Sequence, residues 1–104
     1  MINHEFFSNM KKSAYIFNLS RGPVINESEL EKALESKSIA GAGLDVTENE
    51  PLSKKSKLLK FENVILTPHA LCWTDECFHD IAIEAINSIL NFIDKKPILN
   101  QVNK

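Results

Sequence analysis

Residues 39–46 read Ile-Ala-Gly-Ala-Gly-Leu-Asp-Val, an apolar run that ends on an acid and carries glycines at 41 and 43. Strands covered on both faces read as continuous apolar runs and not as an alternation. The two glycines predict close approach of backbone or ligand to this strand. Two shorter runs flank it. Ala14–Leu19 (AYIFNL) reads as a strand buried on both faces and is broken by Ser20-Arg21-Gly22-Pro23; Val64-Ile65-Leu66 is ended by Thr67-Pro68. Between the first two runs the spacing predicts a helix over 27–36, with Leu30, Ala33 and Leu34 as its buried stripe. Asn26 can cap it, and Glu29 stands at the capping-box distance. Strands separated by helices argue for βαβ units and a parallel sheet.

Residues 3–11 predict a short helix with Phe6, Phe7 and Met10 as its stripe, and Thr47–Lys57 a polar loop containing Pro51. Leu58-Leu59 predicts a helical turn. The last helix has Thr74 as N-cap and Asp75 and Glu76 at the positive end of its dipole. Phe78, Ile81, Ala82, Ala85, Ile86, Ile89, Leu90 and Ile93 recur along it at helical spacing, and Pro97 ends it. A sheet of three short strands leaves edges and an apolar helix face to be covered, so self-association is expected.

Composition narrows the classes. The chain has 104 residues, 43% apolar and 25% charged, the balance of an ordinary globular domain. Its net charge of -2 comes from interspersed signs, with no basic stripe for nucleic acid. No apolar run reaches bilayer-spanning length, and MINHEFFSNMKK lacks the pattern of a signal peptide. Cys72 and Cys77 read as free thiols of a reducing cytoplasm.

Ligands of open α/β sheets bind beyond the carboxyl ends of the strands. Here those ends carry Arg21, Asp45 with Glu50 shortly after, and His69. This set suits oxidation of a secondary alcohol. A histidine can take the hydroxyl proton and return it in reverse. A carboxylate on its second nitrogen fixes the tautomer and stabilises the imidazolium. A guanidinium can clasp a substrate carboxylate at two points. No protein group accepts hydride, so a nicotinamide must supply that step. Each residue also has an ordinary reading: Arg21 as a surface turn residue, Asp45 as a cap, Glu48 and Glu50 as solvated loop charges, His69 as structural.

The motifs weigh toward the catalytic reading. NMKKSAYIFNLSRGPVINESELEKAL, IAGAGLDVTENEPL and NVILTPH resemble, in order and spacing, three stretches of the D-isomer-specific 2-hydroxyacid dehydrogenases. The resemblance covers essentially the whole chain. It implies an α/β fold: a partial Rossmann-like parallel sheet, the C-terminal half of a cofactor-binding domain over 1–73, then a long crossing helix and tail over 74–104. By resemblance Arg21 holds the substrate carboxylate, His69 is the proton donor and acceptor, and Glu50 is its acid partner. Asp45 resembles the residue that binds the nicotinamide carboxamide, and Asn18, Leu19 and Ser20 the loop along the cofactor. The implied cofactor is NAD, with the choice against NADP left open, and the implied partner a small 2-hydroxy or 2-oxo acid.

There are departures. Ala70-Leu71-Cys72-Trp73 replaces a small-residue run, so that Trp73 is expected to be a core or lid residue or to narrow the pocket. No G-x-G-x-x-G occurs, and MINHEFFSNMKK matches an internal helix of the intact enzymes, so the chain is expected to begin inside the domain and to be inactive alone. Two other readings stand beside the enzyme. One is a non-catalytic remnant that self-associates. The other is a metal module on His69, Cys72, Cys77 and His79, disfavoured by their spacing.

Overall fold

The computed structural model describes residues 1–103. The chain forms two compact units, one over Met1–Leu71 and a second that begins at Cys72. The first is built on three parallel strands, β1 (Tyr15–Asn18), β2 (Gly41–Leu44) and β3 (Val64–Leu66), in the order β1-β2-β3. Tyr15 pairs with Gly41 and Asn18 with Leu44, while Ala42 pairs with Val64 and Leu44 with Leu66. This register brings all three carboxyl ends to the same edge of the sheet.

Helix α1 spans His4–Ser8 and α2 spans Glu27–Glu35. α1 is shorter than the predicted 3–11, and of its expected stripe Phe7 is buried while Phe6 is exposed. The Asn26 side chain caps α2 by accepting from the Glu29 N–H at 3.0 Å. The other half of a capping box does not form. The Asn26 N–H already donates to the Ile2 carbonyl, and the Glu29 carboxylate turns to Lys32. Leu30, Ala33 and Leu34 are buried as expected. They meet Phe7, Ile16, Ile25, Ile39, Ala42, Leu44 and Leu58 in one core. Burying one such leucine contributes about 2 kcal/mol. The predicted turn at Leu58-Leu59 is a 3₁₀ turn over Lys57–Lys60, with Leu58 buried.

The expectation that the first strand is buried on both faces is corrected. Ile16 and Asn18 point into the core, but Tyr15 and Phe17 are 60% and 66% exposed. Ile65 on β3 is 70% exposed on the same face. The glycines of β2 show the expected close approach, of backbone at Gly41 and of β1 side chains at both. A Cβ on Gly43 would lie 2.5 Å from the Phe17 ring, and one on Gly41 2.9 Å from the Tyr15 ring. Two aromatic rings of β1 therefore lie across these bare positions, and at Gly41 the Asn63 carbonyl oxygen comes closer still, 2.3 Å from the ideal Cβ.

The second unit contains α3 (Asp75–Ile93), capped by the Thr74 hydroxyl, which accepts from the Cys77 N–H at 3.1 Å. None of its residues is buried, and Trp73 before it is exposed and so forms no part of a core. No helix among the described residues is long and apolar enough to cross a membrane.

Candidate functional site

The site grows from the three strand ends of the first unit. Beyond β1, the buried Asn18 side chain shapes the turn that follows. Its amide donates to the Arg21 carbonyl at 3.0 Å, and its oxygen accepts from the Ser20 N–H and hydroxyl. Leu19 and Ser20 are exposed along this turn. Arg21 donates from Nη1 to the Ser20 carbonyl at 2.6 Å. Gly22 follows, packed so closely on the next loop that a Cβ there would sit 1.9 Å from the Thr47 carbonyl oxygen. Its φ is not positive, so a side chain is excluded there by space alone.

Beyond β2, Asp45 is buried, and its N–H donates to the Asn18 carbonyl at 3.0 Å. Its carboxylate accepts from the Thr67 hydroxyl and from the N–H groups of Ala70 and Leu71 at 2.9 and 3.2 Å. Those donors, the Thr67 hydroxyl above all, hold the carboxyl below the usual aspartate range. Glu48 is exposed on its loop and is also tied down. It accepts from the Glu27 N–H at 2.9 Å, while Glu27 accepts from the Glu48 N–H at 3.1 Å. The pair fastens the acidic loop to the start of α2, where a carboxylate also meets the positive end of the helix dipole.

Glu50 and His69 meet at 2.7 Å, Oε2 against Nδ1. The other carboxylate oxygen of Glu50 accepts from the Thr47 N–H at 3.1 Å. Glu50 is held below the usual glutamate range, first by the histidine contact, then by the Thr47 N–H, with the Arg21 charge adding to it. An ionised Glu50 can only accept here, so the contact favours the tautomer with the proton on Nδ1 and the free lone pair on Nε2. The histidine backbone is unusual, with φ at 55°. Left-handed non-glycine residues are uncommon and collect at functional sites. Asp45, Thr47, Glu50, Leu59, Leu66 and His69 are among the residues that line a cleft of about 360 Å³.

The structure thus brings Glu50 and His69 into contact and ties Asp45 to the histidine loop. Arg21 lies near enough to bias Glu50 but touches neither partner of the pair. Thr67 and Gly22 escaped the sequence reading, although the Thr-Pro-His and Arg-Gly pairs contain them. Among the described residues no three metal-ligating side chains gather; Cys72 and Cys77 are free, and His79 faces Asp80.

A parallel sheet with an arginine, two carboxylates and a histidine at its carboxyl edge defines a Rossmann-like domain of the dehydrogenase class. The family model for the NAD binding domain of the D-isomer specific 2-hydroxyacid dehydrogenases matches residues 1–70. The chain belongs to that family of oxidoreductases. It is 45% identical over 103 residues to a glyoxylate/hydroxypyruvate reductase B of Cronobacter sakazakii, covering 99% of this chain and 32% of the reductase. It is 44% identical over 97 residues to a probable 2-ketogluconate reductase of Dictyostelium discoideum, covering 93% and 29%. A D-isomer specific 2-hydroxyacid dehydrogenase from Xanthobacter autotrophicus, crystallised with NADPH and MES, superposes with a TM-score of 0.85 at 36% identity. That match covers 98% of this chain and 41% of the other. The chain therefore spans about a third of the length of the relatives it matches.

Proposed function

We propose that these residues supply the acid/base and substrate-binding end of an NAD(P)-dependent enzyme that interconverts D-2-hydroxy acids and 2-oxo acids. The observation that carries this reading is the 2.7 Å contact between His69 Nδ1 and Glu50 Oε2. Glu50 orients the imidazole, and Nε2 takes the hydroxyl proton of a hydroxy acid or returns it to an oxo acid. As the imidazole becomes positive, the ionised Glu50 stabilises it, as carboxylate–histidine pairs do elsewhere. Arg21 commits one N–H to Ser20 and has the rest of its fork for a substrate carboxylate.

The nicotinamide, when bound, supplies the hydride acceptor. Its carboxamide end suits the strand edge: Asp45 Oδ2 holds one donor, Leu71 N–H, and keeps a lone pair for a second, beside the turn of Asn18, Leu19 and Ser20. The phosphate end calls for a glycine-rich turn that the sequence does not contain. On that ground the 104 residues alone are expected to consume no NADH with glyoxylate, hydroxypyruvate or pyruvate. The free thiols of Cys72 and Cys77 suit a cytoplasmic setting.

The test is a chimera in which this chain replaces the matching third of the Cronobacter reductase. It should reduce glyoxylate, and His69→Ala should lower kcat about 10²- to 10⁴-fold. A chimera that binds cofactor and turns over equally well without His69 would refute the assignment.

A second reading, self-association without catalysis, is favoured by α3. Its Phe78, Ile81, Ile86, Ile89, Phe92 and Ile93 are all exposed. Sedimentation should then show a dimer or larger species, and a monodisperse monomer would rule this out.

A further inference from the structure

Asp45 does more than end β2. Its carboxylate is fastened to both sides of His69. Oδ1 accepts from the Thr67 hydroxyl on one side and from the Ala70 N–H, at 2.9 Å, on the other, while Oδ2 accepts from the Leu71 N–H at 3.2 Å. The residue is only 5% exposed, so little water competes for these bonds. Its own backbone is pinned to β1 through the Asn18 carbonyl. Between the fastened points the chain runs through Pro68, whose φ is fixed, into His69 at a φ of 55°. A residue with a Cβ does not stay in that region unless its surroundings hold it there.

We infer that Asp45 is a positioning residue for His69: its carboxylate clamps segment 67–71 so that the left-handed histidine presents Nδ1 to Glu50. The inference rests on the acid/base reading of His69 and adds to it. The imidazole is aimed from below by a buried acid that it does not touch, and from the side by the acid that it does. Asp45 then serves the reaction twice, through the loop it holds and through the lone pair left on Oδ2.

The test uses the full 104-residue chain and nuclear magnetic resonance. The ring nitrogens of His69 report the tautomer, and the Glu50 carboxyl carbon reports its titration. In the parent chain Nδ1 should carry the proton, and Glu50 should titrate below its ordinary 4.5. Asp45→Ala should release the tautomer and raise the Glu50 titration toward the ordinary range, while the amide signals of Leu30, Ala33 and Ile39 keep their folded positions. Thr67→Val, which removes one donor at nearly constant volume, should shift both readouts part of the way; Thr67→Ser should restore them. If Asp45→Ala fails to fold, the two Thr67 variants decide alone. A fixed tautomer and a low Glu50 titration that survive Asp45→Ala, or survive Thr67→Val where only that variant folds, overturn the clamp. Glu50→Gln separates the two claims. If the parent ring shows no preferred tautomer and ignores Glu50→Gln, the acid/base pair itself fails and the clamp has nothing to position. A pair that responds to Glu50→Gln but not to changes at 45 or 67 leaves the pair standing and removes the clamp.

Discussion

The two faces of the small sheet are made from alternate residues of the same strands and have opposite surroundings. One face carries Ile16, Ala42 and Leu44 under Phe7, Leu30, Ala33 and Leu34. The other carries Tyr15, Phe17 and Ile65, all largely exposed, with Gly41 and Gly43 beneath the two rings. On the covered side a side chain is held by neighbours from other elements, and its loss leaves a void. On the open side the rings lie on their own sheet and can swing away. The same apolar residue type therefore has a different energetic weight on each face, set by what stands opposite.

That contrast can be broken or sharpened by substitution. The largest effect is expected from Leu30→Ala, which should cost about 2–5 kcal/mol in denaturant unfolding because the cavity opens in the core. Gly41→Ala should come next, at about 1–3 kcal/mol, since the new methyl group meets the Asn63 carbonyl, 2.3 Å from the ideal Cβ position, as well as the Tyr15 ring. Phe17→Ser should change monomer stability by no more than about 0.5 kcal/mol. If Phe17→Ser instead costs as much as Leu30→Ala, and the cost grows with protein concentration, the open face is covered in solution by another copy.

The comparison also marks where the sequence stops being legible. The three strands, the stripe of α2, the turn at Leu58 and the Thr74 cap follow from periodicity and capping chemistry, which are local. The covering of a sheet face is not local. AYIFNL is apolar enough for two covered faces, but the residues of AYIFNL do not say what lies opposite Tyr15 and Phe17. Gly41 and Gly43 signalled close approach correctly; at Gly41 the nearest neighbour is backbone, the Asn63 carbonyl, while at Gly43 it is the Phe17 ring, because a side chain also needs the absence of a Cβ. In the site, the motifs carried the pairing of His69 with Glu50, and the two meet at 2.7 Å. The supports were hidden because their partners are far along the chain: Thr67 to Asp45, and Glu27 to Glu48, are contacts that only the folded backbone creates.

Gly22 has a consequence of its own. With the Thr47 carbonyl in the space that its Cβ would fill, the turn bearing Arg21 and the loop bearing Glu50 are spaced by one missing carbon atom. A methyl group at 22 would push a cation and an anion apart while leaving both of their side chains intact, so the gap that the arginine must span is set by its neighbour.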